Sequence, residues 1–310
     1  MDNEQQLNDP WLIAAWPGMG AVAISAGYYL MAKLGMHLLA EFPAREFFDL
    51  ERVEVKDGLI LTSVLPRSRL FLWQNPAHTH DLIVFIGEAQ PPTKGAAFCA
   101  KLISLAQKLR VQRVFTFAAM ATQMRPEHNS RVFGAAIDRD TLARFKRLDV
   151  QVLDDAQISG LNGVLLGVAA DNGMKGGCLL GEMPHVFSQF PFPKASLAVL
   201  RTFSAMAAVA IDFKELQNQS RQVEKGLEEF LHRLENSVGV TGEPAATPEE
   251  VESEKSSPRL SDRDQQQLED LFAVARIDRS RAYELKQALD RLKVFQAYED
   301  RFLDLFKQPG

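Results

Sequence analysis

Residues 11–23 of the chain read WLIAAWPGMGAVA. An apolar run is followed here by a glycine-containing turn and then by residues of helical character, the order that opens many α/β domains. Gly18 and Gly20 match the spacing Gly-x-Gly-x-x-Ala of dinucleotide-binding turns, and Glu41 lies near the position of a ribose-binding acid. Pro17 removes a backbone donor from the turn. We therefore favour a tight turn that needs glycine for its geometry, and we expect a side chain at Gly18 to disturb folding.

The same alternation of apolar runs and helical periods continues through the first two thirds of the chain. Strands are predicted at 11–16, 59–65, 69–73, 81–86, 111–117, 132–137 and 149–153. Helices are predicted at 21–35, 93–109, 140–148, 161–172 and 194–210. Only three residues separate the second and third strands, which predicts a hairpin. The fold class is therefore α/β, a three-layer α/β/α sandwich with a mixed, mostly parallel sheet.

The last third of the chain has a different organisation. Apolar residues recur at helical spacing up to about residue 236, and residues 237–259 are then acidic and contain several prolines, which is typical of a linker. We predict an α/β/α domain over 1–236, an acidic linker over 237–259 and a C-terminal helical hairpin over 260–310. The second helix of that hairpin carries an apolar stripe that is a candidate protein-binding surface, formed by Leu285, Leu289, Leu292, Phe295, Phe302 and Leu305. The stripe packs either within the chain or on a partner.

Composition and charge exclude several classes of function. The net charge is -5 and no basic stripe is visible, so no nucleic-acid partner is expected. Cys99 and Cys178 lie in separate apolar runs, which fits a reducing, cytoplasmic location. The uncharged segment 11–32 is interrupted by proline and glycines near its middle, so no membrane span is expected.

Polar residues follow several of the predicted strands. Because ligands of open α/β sheets bind at the carboxyl ends of the strands, these loops predict a candidate crevice. Its residues are Gly18, Met19, Gly20, Glu88, Gln90, Ser159, Gly160, Asn162 and Glu182. Within this set, Glu88 could act as a base or hydrogen-bond the loop amides, and Ser159 could help bind an anion or cap its helix. No catalytic set, metal site or cofactor motif is recognised, so none of the three is predicted.

Five motifs together resemble the proteasome assembly chaperone 2 domain family, which occurs in archaea, many bacteria and eukaryotes. They are AWPGMG at 15–20, GEAQP at 87–91, SGLNGVLLG at 159–167, CLLGE at 178–182 and PKAS at 193–196. The resemblance covers about residues 11–236 and implies a phosphorylase-like α/β/α architecture and a homo-oligomer or an assembly with related subunits. It also implies a possible protein client, since known members bind proteasome α-subunits. Some of them dock a tail whose penultimate residue is tyrosine, whereas this chain ends FKQPG, so docking by that route is not expected.

Two functions remain open at this point. The first is a non-catalytic protein-binding or assembly-chaperone-like protein of unknown client, favoured because no nucleophile with its base is visible. The alternative is a small-molecule enzyme or sensor that binds a nucleotide or metabolite in the crevice at the carboxyl ends of the strands.

Overall fold

The computed structural model describes residues 7–49, 53, 55–56, 58–60, 65–238 and 260–307. The strands in these ranges are β1 (Trp11–Ala15), β2 (His37–Glu41), β3 (Val55–Lys56), β4 (Leu59–Ile60), β5 (Ser68–Trp73), β6 (Leu82–Gly87), β7 (Arg113–Thr122), β8 (Val132–Ala136), β9 (Gln151–Val152) and β10 (Lys175–Pro184). The α-helices are α1 (Val22–Lys33), α2 (Gly95–Lys108), α3 (Arg139–Arg147), α4 (Gly160–Asp171), α5 (Pro193–Ala207), α6 (Lys214–Val238), α7 (Asp262–Ile277), α8 (Ala282–Arg291) and α9 (Phe295–Asp304).

Eight of these strands form one sheet in the order β2-β5-β6-β1-β7-β10-β8-β9. The four central strands, β6, β1, β7 and β10, are parallel to their neighbours within that group. Antiparallel pairing occurs on either side, where β5 pairs with β2 and β6, and β8 pairs with β10. The predicted mixed sheet with helices on both faces is therefore confirmed.

β1 shows why this sheet lies inside the protein. All five of its residues are buried, as expected for a central parallel strand that is covered on both faces. Ile13 and Ala15 belong to the hydrophobic cluster that contains residues of α1 and α5, whereas Leu12 and Ala14 belong to the cluster that contains residues of α2 and α4. The alternation of side chains along the strand thus divides the core into two layers.

The predicted hairpin between 59–65 and 69–73 is wrong. Leu59–Ile60 pairs with Val55–Lys56 in a separate two-stranded sheet, and residues 61–64 lie outside the described residues. Leu59 and Ile60 are 70% and 72% exposed, so their apolar character does not reflect burial in the main sheet. β5 pairs instead with β6 and with β2, a strand that the sequence analysis did not predict.

The turn after β1 needs glycine at one position only. Gly20 has a φ of 61°, and a Cβ added there would lie 2.5 Å from Sδ of the buried Met183. Gly18 has an extended φ of -174°, and a Cβ there would have no neighbour within 4 Å. The expectation for Gly18 is therefore wrong, since the left-handed conformation and the close approach both occur at Gly20.

The C-terminal helices pack on α1. The Tyr28 ring lies 5.3 Å from the Phe295 ring and 5.6 Å from the Phe302 ring, and Tyr29 lies 4.6 Å from Tyr283. The predicted long second helix is two helices, α8 and α9, because the chain turns at Lys293, whose φ is 57°. Helices α7, α8 and α9 thus share one hydrophobic cluster with the sheet domain.

The predicted apolar stripe contributes to this packing. Leu285, Leu289 and Phe302 are fully buried, Leu305 is 8% exposed, and Leu292 and Phe295 pack partly buried against the same cluster. In this conformation the six side chains contact their own chain, the first of the two alternatives, and do not form an exposed docking stripe. Residues 239–259 of the predicted linker lie outside the described residues.

Within the described ranges, no helix combines the length and the apolar character that a bilayer crossing requires.

We predict that Gly20→Ala lowers the free energy of unfolding by about 1–3 kcal/mol, because alanine is strained at this positive φ and its Cβ meets Met183. Thermal melting and urea titration measure the effect. Gly18→Ala is the matched control and should change stability by less than about 0.5 kcal/mol. An equal loss of unfolding free energy in Gly20→Ala and Gly18→Ala would contradict the conclusion that only Gly20 requires glycine.

Candidate functional site

Gln90 joins two of the loops that the sequence analysis assigned to the crevice. Its Nε2 donates to the backbone oxygen of Pro17 at 3.2 Å, and its Oε1 accepts from the backbone nitrogen of Leu161 at 3.1 Å. Gly160, with a φ of 70°, allows this approach, because a Cβ there would lie 3.0 Å from Gln90 Oε1. Gln90 therefore holds the first turn of α4 beside the turn that follows β1.

The start of α4 is thus capped from another loop. Ser159 occupies the N-cap position but makes no capping hydrogen bond with its side chain, and it is exposed. Asn162 lies one turn further on, and its Oδ1 is buried without a hydrogen-bond partner among the described residues. Its backbone oxygen accepts from Thr116 Oγ1 at 3.3 Å. Gln90 therefore supplies the capping acceptor that Ser159 could have supplied.

Glu88 interacts with a different part of the chain. Its Oε2 accepts from the backbone nitrogen of Arg67 at 2.8 Å, and its Oε1 accepts from Arg69 Nη1 at 2.9 Å. Burial raises the pKa of Glu88, while these hydrogen bonds and the two arginines act in the opposite direction. Both carboxylate oxygens of Glu88 therefore accept hydrogen bonds, one from Arg69 of β5 and one from the residue before Ser68, where β5 begins.

Arg69 extends this contact to the C-terminal helices. Its side chain is 1% exposed, and its Nη2 forms an ion pair with Asp300 of α9. Arg67 reaches the same carboxylate, with 2.7 Å between its Nη1 and Asp300 Oδ1. A buried guanidinium is costly unless it is paired and hydrogen-bonded. Glu88 and Asp300 pair with the two terminal nitrogens of Arg69, and Glu41 Oε1 lies 3.9 Å from its Nε.

A second acid of α9 lies in the same region. Tyr28 of α1 donates its hydroxyl to Glu299 Oε1 at 2.5 Å. Burial raises the pKa of Glu299 to about 7, and the negative charge of Glu88 adds to the increase. Burial also raises the pKa of Tyr28 well above its ordinary value. We name the six residues of this region the junction cluster, and its members are Tyr28, Arg67, Arg69, Glu88, Glu299 and Asp300.

Glu182 lies in a third set of contacts. Although it is 1% exposed, its Oε1 accepts from Thr122 Oγ1 at 2.8 Å and its Oε2 accepts from Arg131 Nε at 2.8 Å. The hydrogen bond with Arg131 is the main reason that the pKa of Glu182 is lowered. The residue lines an open cavity of about 530 Å³ together with Met124 and His128. Its carboxylate holds the segment before β8 on β10.

The predicted crevice is therefore divided. Gln90 is brought together with Gly160 and the turn after β1, but Glu88 and Glu182 each have other partners. The sequence patterns did not predict those partners. An arginine inside the apolar stretch SRLFLW was the one available signal, because a buried charge requires an opposite charge.

Across the described residues, no group of three or more His, Cys, Asp and Glu side chains could hold a metal ion.

An exposed apolar surface lies beside the turn after β1. It consists of Met19, Val186, Phe190 and Phe230, which are between 45% and 56% exposed. The backbone nitrogen of Gly20 donates to the oxygen of Ser188 at 2.9 Å, so the turn is tied to the segment that carries Val186 and Phe190. The Phe187 ring lies 6.2 Å from the Phe190 ring and 6.3 Å from the Phe230 ring. We name the four exposed residues the apolar rim.

Comparison with known proteins places the chain in a family. It belongs to the PAC2 family, which it matches over residues 12–231. This match confirms the resemblance to proteasome assembly chaperones that the five sequence motifs indicated.

Individual proteins match this chain in structure or in sequence. PbaB of Pyrococcus furiosus, an archaeal proteasome activator, is 24% identical with a TM-score of 0.61, and the match covers 74% of this chain and 94% of PbaB. The proteasome-assembly chaperone homologue of Mycobacterium tuberculosis is 22% identical with the same TM-score, over 71% of this chain and 94% of the homologue. An uncharacterized protein of Methanocaldococcus jannaschii is 25% identical over 239 residues, covering 74% of this chain and 84% of the relative.

We predict that Glu299 makes stability depend on pH. The pKa of Glu299 is raised from its ordinary 4.5 to about 7, so the folded state favours the protonated acid. The stability associated with this group is fully present below about pH 4.5 and is lost as pH rises through 7. The free energy of unfolding of the wild type, minus that of Glu299→Gln, should therefore decrease between pH 5 and pH 8.

Urea titrations at several pH values measure this difference. Glu229→Gln, at an exposed position of α6, serves as the control for loss of one carboxylate. A difference between wild type and Glu299→Gln that stays constant over this pH range would contradict the account.

Proposed function

We propose that this chain is a non-catalytic protein-binding protein of the assembly-chaperone type, with a protein client that is still to be identified. Membership of the PAC2 family supports the proposal. Two structural relatives point the same way, since PbaB is an archaeal proteasome activator and the Mycobacterium tuberculosis relative is a proteasome-assembly chaperone homologue.

One observation carries the proposal. Glu88, Gln90 and Glu182, at the carboxyl ends of the strands, hydrogen-bond the chain itself, whereas the apolar rim is open to solvent. Glu88 and Glu182 use both carboxylate oxygens, and Gln90 uses both ends of its amide. A polar group that is already paired gains little by binding a substrate, while an exposed apolar surface gains by contact with another protein.

The apolar rim has features of a protein-binding surface. Two of its four members are phenylalanines, and aromatic residues together with methionine are enriched in such interfaces. Phe187, which is 2% exposed, lies beneath the exposed Phe190 and Phe230. A partner that covers the rim would extend an existing aromatic cluster and would not have to create a new one.

Self-association and a cytoplasmic location are part of the same proposal. The family resemblance supports assembly with a second copy or with related subunits. The thiols of Cys99 and Cys178 are both buried and unpaired, which suits a reducing compartment. The net charge of -5 argues for a protein partner over nucleic acid.

We predict that the double substitution Met19→Glu/Phe190→Glu weakens partner binding without unfolding the chain. New carboxylates in the apolar rim would have to be desolvated on binding, so association should weaken at least about tenfold. Ile277→Glu is the control, because Ile277 is 91% exposed and lies on α7, outside the rim. Sedimentation at micromolar concentration measures self-association, and affinity purification with mass spectrometry measures client recovery.

A wild type that is monomeric at every dilution and recovers no partner would overturn the proposal. Native mass spectrometry of the purified chain provides an independent check. A bound metabolite of defined mass that survives purification would instead support the enzyme or sensor alternative.

A further inference from the structure

A cationic groove runs between α5, α6 and the segment that precedes β8. Its volume is about 570 Å³. The charged side chains that line it are Lys194, Arg201 and Arg221, and the described lining residues include no acid. This local excess of positive charge contrasts with the net charge of -5 for the whole chain. Such a surface attracts anionic groups.

The two arginines are available to a ligand. Lys194 is already neutralised, because its Nζ lies 2.9 Å from Glu224 Oε2 and also donates to the backbone oxygen of Pro126. Arg201 and Arg221 are exposed, and neither guanidinium has an ion pair or a hydrogen bond to any described residue. Each can therefore offer its full fork of donors to a carboxylate.

The groove also offers apolar contact and hydroxyl groups. Val132 and Leu197 contribute apolar surface to the lining of the groove. Ser130 and Ser220 supply hydroxyls, and Ser130 Oγ is buried without a partner among the described residues. A small inorganic anion would leave the apolar part of the groove unused. A peptide with acidic and apolar side chains would use both kinds of surface.

We infer that this groove binds an extended acidic peptide segment whose carboxylates pair with Arg201 and Arg221. Arg201 lies on α5 and Arg221 on α6, and these two helices contact each other. In a peptide with polyproline II geometry, three residues complete one turn and each residue advances about 3.1 Å, so residues three apart lie on the same face about 9 Å apart. A segment with an acid at every third position therefore presents its carboxylates to the arginines from one face. The site is separate from the apolar rim and does not depend on the proposed function.

Fluorescence anisotropy with a labelled peptide tests this inference. The probe contains four repeats of Glu-Val-Thr, and the same peptide with Gln in place of Glu is its control. The full-length chain should bind the acidic peptide at least about tenfold more tightly than the Gln peptide, and added salt should weaken binding. Arg201→Glu/Arg221→Glu should reduce affinity at least about tenfold.

Matched variants separate the groove from general effects of charge. Arg263→Glu/Arg276→Glu makes the same charge change at exposed positions of α7 and should bind like the wild type. If the Glu variant is unstable, Arg201→Gln/Arg221→Gln replaces it, and Arg201→Lys/Arg221→Lys should retain part of the affinity. Met19→Glu/Phe190→Glu should bind the peptide normally, so failure at the rim and failure at the groove remain distinguishable.

Three results would overturn the inference. The first is equal affinity for the Glu and Gln peptides, and the second is unchanged affinity in both arginine double variants. The third is full displacement of the peptide by inorganic phosphate at the concentration of the peptide itself, which would identify a simple anion site.

Discussion

The buried guanidinium of Arg69 is the interaction on which the arrangement of the sheet and the C-terminal helices depends. Arg69 lies in β5, and its charge partners include Glu88 from the loop after β6 and Asp300 from α9. Removing one partner of a buried ion pair costs about 3–5 kcal/mol, because the remaining charge loses its compensation. The pairing therefore fixes where α9 lies, and α9 in turn helps to cover the aromatic face of α1.

The sequence was sufficient for those parts of the fold that follow from local periodicity. β1 is apolar throughout because both faces of a central parallel strand are buried, and this pattern is visible in its five consecutive residues. The hairpin at 59–65 was mispredicted because an apolar run does not reveal whether it is buried, and Ile60 is 72% exposed. The break between α8 and α9 depends on a positive φ at Lys293. Lysine rarely adopts this conformation, so its presence in the sequence does not indicate a break.

The candidate site shows a second limit of sequence reasoning. Parallel strands place their following loops at one edge, and Glu88 and Gln90 both lie in the loop after β6. The two side chains nevertheless have different partners, because each buried polar group must find its own hydrogen bonds. The partner of Arg69 in α9 lies 231 residues further along the chain. No local pattern predicts such a pair, and a single sequence supplies no covariation.

Hydrogen exchange measured by mass spectrometry on Arg69→Met tests most directly whether Arg69 holds the C-terminal helices in place. In this variant, amides of α8 and α9 should lose protection by at least about tenfold, while those of the central strands β1 and β7 should keep theirs. Arg139→Met, at an exposed position of α3, should leave both regions unchanged. Unchanged protection of α9 in Arg69→Met, or equal loss of protection in α9 and the central strands, would contradict the account.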